Sequence, residues 1–86
     1  MKGEKMVNQI ANVGIVVQDY SKVPEINAVL HAYSDNILNR IGMPYRERNV
    51  RLINVMIESS PQIVEELNTK LSAIKGVTTK IMTFDL

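Results

Sequence analysis

The stretch VRLINVMIESSPQIVEELNTKLSAIKG, residues 50–76, contains a strand, a helix start, a helix and a helix stop in one continuous run. Residues 50–58 are rich in β-branched and long apolar side chains, which is typical of a β-strand. The run Ser59-Ser60-Pro61 predicts a helix start, since serine caps helix N-termini and proline is harmless in the first turn. Gly76 ends the helix because it tolerates a left-handed backbone. The apolar stripe of the predicted helix is Ile63, Leu67, Leu71 and Ile74.

Upstream of this stretch the pattern predicts another strand and another helix. Residues 10–18, IANVGIVVQ, read as a strand that is followed by a turn. Ser21 is the predicted N-cap of the next helix, with Pro24 in its first turn. The helix has about five turns and ends at Gly42. Its apolar stripe is Ile26, Leu30, Tyr33, Ile37 and Ile41.

Two further strands complete the pattern, a short one at residues 44–48 and a last one at residues 77–84. Asn49 is a turn residue, so the short strand and the strand after it form a hairpin. A shift of 37 residues superposes Pro24 on Pro61 and Leu30 on Leu67. The chain therefore reads as two βαβ halves in a single domain over residues 1–86. Right-handed crossovers then give an α+β, ferredoxin-like sheet, with the first and third strands central and both helices on one face.

Composition excludes several classes of function. The 86 residues carry a net charge of +1, which provides no field to attract nucleic acid or an anionic membrane. Cysteine is absent, so there is no disulfide framework and no zinc-cysteine site. Residues 1–6 lack the features of a signal peptide, and no apolar run is long enough to span a membrane. We expect a cytoplasmic protein without a metal site or a cofactor.

The predicted central strands are apolar on both alternating faces. In residues 10–18, and again in residues 50–58, aliphatic side chains occur at both odd-numbered and even-numbered positions. Helices cover only one side of such a sheet, so the second apolar side needs a partner. We expect a homo-oligomer, a dimer or a tetramer, that joins through this side. The pattern leaves the parity of the third strand open, since the 37-residue shift and simple hydrophobicity favour different registers.

Two motifs resemble a known family. They are HAYSD at residues 31–35 and RIGMPYRER at residues 40–48, which leads into the strand at residues 52–58. Together with the Gly-Val pair before the last strand, they resemble small stand-alone ACT-like proteins, the regulators of the iron-only hydrogenase system. Relatives of that family include the C-terminal domain of nickel-responsive repressors. The resemblance implies a ferredoxin-like fold, dimers or tetramers, ligands bound at subunit interfaces and a regulatory role.

The same resemblance indicates what this chain lacks. The nickel repressors carry histidines and a cysteine near the second strand, where this chain has Met43 and YRER at residues 45–48. We expect no nickel site of that kind. Those repressors also carry an N-terminal ribbon-helix-helix segment, whereas here the sheet pattern begins near residue 8. We therefore expect no direct binding to nucleic acid.

The candidate ligand-binding residues lie mainly in the short strand. Alternation places Tyr45 and Glu47 on one of its faces and Arg46 and Arg48 on the other. The two arginines are suited to clamp a carboxylate or a phosphate, which predicts a small anionic or amino-acid-like ligand. The alternative is that these charges protect an edge strand from unwanted pairing.

His31 and Asn54 are the other two candidates. His31 lies at the margin of the first helical stripe, where it is suited either to a contact at an interface or to a structural role. Asn54 interrupts an apolar strand, as Asn12 does in the first, and is either a ligand contact or a residue that sets the register of an interface.

No catalytic set of residues emerges from the sequence. Our leading hypothesis is a non-enzymatic oligomeric module that regulates or senses a small ligand. The alternative is a small dimeric ferredoxin-like enzyme, which needs a cavity between sheet and helices lined by His31 or Tyr33. A third hypothesis is an RNA-recognition fold, but its central strands need exposed aromatic residues, and residues 10–18 and 50–58 have none.

Overall fold

The computed structural model describes residues 8–85, which form four strands and two α-helices. The elements are β1 (Gln9–Val17), α1 (Val23–His31), β2 (Ile37–Tyr45), β3 (Val50–Ser59), α2 (Pro61–Ser72) and β4 (Val77–Asp85). One-turn 3₁₀ helices lie at Tyr20–Lys22, Ser34–Asn36 and Arg46–Arg48. The expectation that residues 1–6 are not a signal peptide lies outside the described residues.

The four strands form one antiparallel sheet in the order β2-β3-β1-β4. Strand β1 pairs along its whole length with β3 on one side and with β4 on the other. The predicted fold class is therefore confirmed: an α+β, ferredoxin-like sheet with the first and third strands central. A bulge between Ile37 and Asn39 makes the pairing of edge strand β2 irregular.

The hydrophobic core lies between the sheet and the two helices. Every second residue of the central strands faces this core, and the parity of β3 is the one that simple hydrophobicity favours. Its members from the two strands are 0–3% exposed: Ala11, Val13, Ile15, Val17, Ile53, Val55 and Ile57. Ile26 and Leu30 of α1 pack against them together with Leu67 and Leu71 of α2. Each buried valine, leucine or isoleucine in this set contributes about 1.5–3 kcal/mol by its burial.

The second helix starts as its sequence predicts. The Oγ of Ser60 accepts a hydrogen bond from the backbone N–H of Ile63 at 3.3 Å, and Pro61 is the first helical residue. After the helix, Gly76 adopts φ = 82°, a backbone conformation that favours glycine. Its carbonyl accepts a hydrogen bond from the backbone N–H of Gln18 at 2.8 Å, which joins the two loops at this end of the sheet.

The first helix differs from its prediction at both ends. The N-cap of α1 is Lys22, which makes no side-chain capping hydrogen bond, and not the predicted Ser21. Asp19 instead caps the preceding 3₁₀ turn: its Oδ1 accepts hydrogen bonds from the backbone N–H of Ser21 at 3.0 Å and from the Ser21 hydroxyl at 2.6 Å. These bonds close the 3₁₀ turn that precedes α1. Pro24 does lie in the first turn of α1, as predicted.

The predicted end at Gly42 is wrong, because α1 stops at His31. The Ser34–Asn36 segment that follows consists of short polar residues whose side chains compete for backbone hydrogen bonds, and it forms a 3₁₀ turn. Ile37 and Ile41 therefore belong to β2 and not to a helical stripe. The apolar spacing of four residues had indicated a helix, but it suits a strand equally well.

Among the described residues, no helix has both the length and the apolar character that crossing a membrane requires.

Candidate functional site

The side of the sheet that faces away from the helices is named here the open face. Cross-strand partners point to the same side of a sheet, so the strand register gives its members. They are Ile10, Asn12, Gly14 and Val16 on β1; Asn39, Ile41, Met43 and Tyr45 on β2; Val50, Leu52, Asn54, Met56 and Glu58 on β3; and Thr78, Lys80, Met82 and Phe84 on β4.

Large apolar side chains of the open face are exposed in the isolated chain. Their exposed fractions are 61% for Ile41, 57% for Met82, 50% for Met43, 48% for Phe84 and 38% for Tyr45. Isolated apolar residues on a surface are ordinary, but these five belong to one continuous sheet surface. A surface of this kind is typical of a site for a partner or a ligand.

A groove of about 380 Å³ lies in the middle of the open face and is named here the Gly14 groove. Gly14 is paired with Asn54 on one side and with Lys80 on the other, so its bare backbone lies between an asparagine and a lysine whose side chains are on the same side of the sheet. Val16 and Leu52 line the groove next to this row. Most of the lining is therefore apolar, and its polar residues are Asn54 and Lys80 beside Gly14 and Thr78 beside Val16.

Gly14 has no conformational need for glycine. Among the described glycines, positive φ occurs at Gly76 and not at Gly14. A Cβ atom added at Gly14 would meet nothing nearer than the carbonyl oxygen of Lys80 at 3.9 Å. Glycine inside a strand is about 0.5–1 kcal/mol less stable than alanine. The missing side chain leaves space over the sheet without helping the subunit to fold.

A second groove of about 340 Å³ adjoins the first one and is named here the Tyr45 groove. It is lined by Tyr45 and Arg48, with Gln18 from the end of β1, and it shares Val16 and Leu52 with the Gly14 groove. Three of the predicted ligand-binding residues thus lie along one side of the sheet: Tyr45, Arg48 and Asn54.

The predicted alternation of residues 45–48 along a strand is wrong. Tyr45 is the last residue of β2, and Arg46–Arg48 is a 3₁₀ turn closed by Asn49, which has φ = 54°. The turn forms because β2 and β3 are neighbours in the sheet and need a tight connection, and asparagine adopts the left-handed conformation more readily than most residues. Arg46 and Glu47 are exposed in this turn and line neither groove.

His31 lies in a different place, on the outer side of α1. It lines a third groove of about 570 Å³, together with Asn27, Ser34 and Arg40. The guanidinium of Arg40 donates a hydrogen bond to the side-chain oxygen of Asn27. The structure therefore does not bring His31 together with Tyr45, Arg48 and Asn54.

Two pKa shifts belong to structural contacts away from the open face. The hydroxyl and the backbone N–H of Ser21 hold the pKa of Asp19 below its ordinary value. Tyr33 raises the pKa of Lys70, whose Nζ lies 5.3 Å from the centre of the Tyr33 ring. The Tyr33 hydroxyl also donates a hydrogen bond to Oε1 of Glu66 at 2.7 Å, which ties the end of α1 to α2.

The described residues contain no group of three or more His, Cys, Asp or Glu side chains suited to hold a metal ion. The open face offers apolar area, amide groups and the cation Lys80, and the Tyr45 groove adds a second cation, Arg48, from the turn after β2. Chemically this arrangement is suited to hold an apolar group and to donate hydrogen bonds to an anion.

Sequence reasoning missed Gly14 and Lys80 as members of the site. The alternation of residues 78, 80, 82 and 84 could have placed Lys80 on the same side as Met82 and Phe84. That Lys80 lies beside Gly14 depends on the register of β4 against β1, which no sequence pattern predicts. Arg40 was also missed, because the predicted helix extended over it.

The fold and the open face define a class of protein, the ferredoxin-like α+β domains in which two helices cover one side of a four-stranded antiparallel sheet. Residues 9–81 match the family model described as "TM1266-like: Iron-only hydrogenase system regulator, putative". The chain belongs to this family, and the resemblance of its motifs is confirmed.

The solved structures agree with this assignment. The chain is similar to "uncharacterized protein TM1266 from Thermotoga maritima", with 29% sequence identity and a TM-score of 0.84. The alignment covers 90% of this chain and 98% of that chain. A search of the curated proteins found no match.

Proposed function

We propose that this chain is a non-enzymatic regulatory module, a single ACT-like domain over residues 1–86 that works in the cytoplasm. It assembles as a homo-oligomer, a dimer or a tetramer, through the open face. A small anionic or amino-acid-like ligand binds where the subunits meet. The observation that carries this proposal is the exposed apolar surface of the open face with its two adjoining grooves.

Self-association is the simplest way to cover the open face. A domain of this size buries only about 60% of the surface of its unfolded chain, so additional burial against a second copy is a large gain. All four strands contribute apolar residues to this side, and its charged residues, Lys80 and Glu58, are few. Depletion of charge at the centre of an apolar patch is a property of protein interfaces.

The family supports a regulatory role, since its description names a regulator of the iron-only hydrogenase system. Regulation by a ligand requires that binding favours one state of assembly over another. A ligand bound between two open faces has this property, because its site is complete only in the oligomer.

The ligand contacts that we propose are Tyr45, Arg48 and Asn54. Arg48 provides a fixed cation at the end of the sheet, and Tyr45 provides a ring and a hydroxyl in the same groove. Arg46 and Glu47 lie in the same turn but are exposed and line neither groove, so the proposed site does not include them. His31 lines a separate groove with Arg40, and we propose it as a contact for the same class of ligand there.

The enzyme hypothesis has less support. It requires a cavity between the sheet and the helices that is lined by His31 or Tyr33. Core side chains with 0–8% exposure occupy the space between these layers, and Tyr33 is one of them. His31 is exposed on the outer side of α1, where no second acid or base completes a catalytic pair among the described residues that line its groove.

Two measurements test the proposal. Light scattering of the purified chain should give a particle of at least twice 9.7 kDa. A thermal screen of amino acids and small carboxylates should give compounds that raise the melting temperature, because a ligand that binds only the folded state stabilises it. Arg48→Ala should abolish the shift, whereas Arg46→Ala, in the same turn but outside the grooves, should leave it unchanged.

The proposal is wrong if the chain is a monomer at working concentrations and no compound in the screen shifts the melting temperature. It is also wrong about the site if the two arginine variants lose the shift equally.

A further inference from the structure

The Gly14 groove contains the most specific chemistry of the open face. We infer that it binds a small amphipathic acid, a carboxylate with an aliphatic or aromatic tail, between Lys80 and Asn54. This inference rests on the proposed function, since it names the class of ligand that the open face takes. It goes beyond that function in naming Gly14 and Lys80 as binding residues.

The strand register places the polar groups where a carboxylate needs them. Asn54 and Lys80 lie on the two strands that flank Gly14, each about 4.8 Å from it along the hydrogen-bonding direction. With hydrogen in place of a side chain at Gly14, an anion can rest on the backbone between the two. The ammonium of Lys80 and the side-chain N–H of Asn54 then donate to its two oxygens.

The charge of the groove selects an anion. Lys80 is its charged residue, and the described residues that line the groove include no carboxylate. Glu58, the acidic residue of the open face, is paired with Ile10 and lies two rows of the sheet away from Gly14. A lysine beside a mostly apolar groove that has no carboxylate attracts an acid and gives no favourable partner to an amine.

The next row of the sheet provides the place for a tail. Val16 and Leu52 are paired with each other, and Met43 is paired with Leu52 on its other side. All three line the groove, and Ile41 forms part of its side on β2. The volume of about 380 Å³ lies within the range of roughly 300–1,000 Å³ that is usual for small-molecule sites. A tail that lies along this row exchanges water for aliphatic contacts.

The proposed ligand accounts for glycine at position 14, whereas the fold of the subunit does not require glycine there. Its backbone conformation suits alanine, and a Cβ atom has room there. A methyl group at this place would occupy the space in which the carboxylate rests. Gly14→Ala should therefore spare the fold and remove the site.

Octanoate and phenylacetate are the probes for the test, with octanamide as the uncharged match of octanoate. Calorimetry on the full chain should show saturable binding of both acids and binding of octanamide that is at least about tenfold weaker, the effect of one charge-assisted hydrogen bond. Lys80→Met should weaken the binding of octanoate by a similar factor. Lys75→Met, an exposed lysine beyond the end of α2, should leave the affinity within about twofold.

The glycines provide a second matched pair. Gly14→Ala should weaken the binding of octanoate by at least about tenfold, while the circular dichroism spectrum stays that of the wild type. Gly42→Ala is the control, since Gly42 is paired with Ile53 on the helix side of the sheet and a Cβ there makes only ordinary contacts at 3.6–3.8 Å. It should bind octanoate as the wild type does.

The inference is overturned if neither acid binds, if octanamide binds as well as octanoate, or if Lys80→Met and Gly14→Ala both bind normally. Light scattering of the same samples separates this inference from the proposed function. An oligomer that binds neither acid refutes the ligand class and leaves the assembly standing. A 9.7 kDa particle that binds octanoate through Lys80 supports the ligand class and refutes the assembly.

Discussion

The two faces of the sheet are built from the same strands and from similar residues, yet they differ in what covers them. Val13, Val55 and Ile57 on the helix side are fully buried, and α1 and α2 lie over them. Val16, Leu52 and Met56 on the open face are only partly buried by their neighbours. Alternating residues on one strand thus serve two different purposes.

This difference separates stability from assembly. Side chains on the helix side contribute their burial within one subunit, so their effect does not depend on protein concentration. Side chains on the open face gain burial only when a second copy or a ligand arrives, so their effect appears as an association constant. Each of the following substitutions is a way to break or to sharpen this separation.

Leu67→Ala should have the largest effect. Leu67 is completely buried between α2 and the sheet, and its truncation leaves a cavity in the core. We expect the free energy of unfolding to fall by about 2–5 kcal/mol. Urea denaturation measures it, and Thr69→Ala, exposed on the same helix, is the control. A loss that depends strongly on protein concentration would contradict the separation of the two faces.

Met82→Lys should come next, and its effect should fall on assembly. Met82 lies on the open face of β4, and the adjacent Thr83 is exposed on the opposite side of the same strand. A charge placed in an apolar contact between subunits costs about 2 kcal/mol or more, which is roughly a thirtyfold weaker association. Sedimentation analysis should show that Met82→Lys dissociates the oligomer.

Thr83→Lys is the matched control and should associate as the wild type does. If both variants dissociate equally, the contact between subunits involves the edge of β4 and not the open face.

The sequence predicted the second half of the fold well and the first half less well, for a physical reason. Ser60, Pro61 and Gly76 mark the start and the end of a helical segment with backbone chemistry that has few alternatives. Ile37 and Ile41 are four residues apart, a spacing that fits one face of a helix and also one face of a regular strand. In β2 the bulge after Ile37 places Ile37 against the core and Ile41 on the open face. Apolar spacing alone could not separate the two structures there.

The candidate site was predictable in its residue types and not in its geometry. Tyr45 and Arg48 were recognised from their short motif, and the structure places them in one groove. The neighbourhood of Gly14, Asn54 and Lys80 depends on two strand registers, and the register of β3 was ambiguous by one residue in the sequence. A shift of one residue moves Asn54 to the other side of the sheet.

Two glycines sharpen the comparison between structural and functional positions. Gly76→Ala should destabilise the subunit by about 1–2 kcal/mol, since a left-handed backbone is costly for alanine. The new Cβ atom would also lie 3.3 Å from Cβ of Asp19. Gly14→Ala should instead stabilise the subunit by about 0.4–1 kcal/mol. Urea denaturation in the Met82→Lys background measures both changes in the free energy of unfolding without a contribution from assembly. Destabilisation by Gly14→Ala would mean that Gly14 serves the fold after all.

Asp19→Asn should have the smallest effect and the clearest pH dependence. The bonds from Ser21 hold the pKa of Asp19 below its ordinary value, so the folded state binds a proton at this group less readily than the unfolded state. Its stabilisation is therefore complete above the ordinary aspartate pKa and disappears as the pH falls through the lower pKa of the folded state.

Asparagine keeps an oxygen that accepts the same bonds but carries no charge, so the two proteins should differ slightly near neutral pH and converge in acid. Melting curves across this range measure the difference, which should be the same in the Met82→Lys background because Asp19 lies in the loop after β1 and not on the open face. A pH dependence that vanished with the oligomer would show that the loop and the open face are coupled.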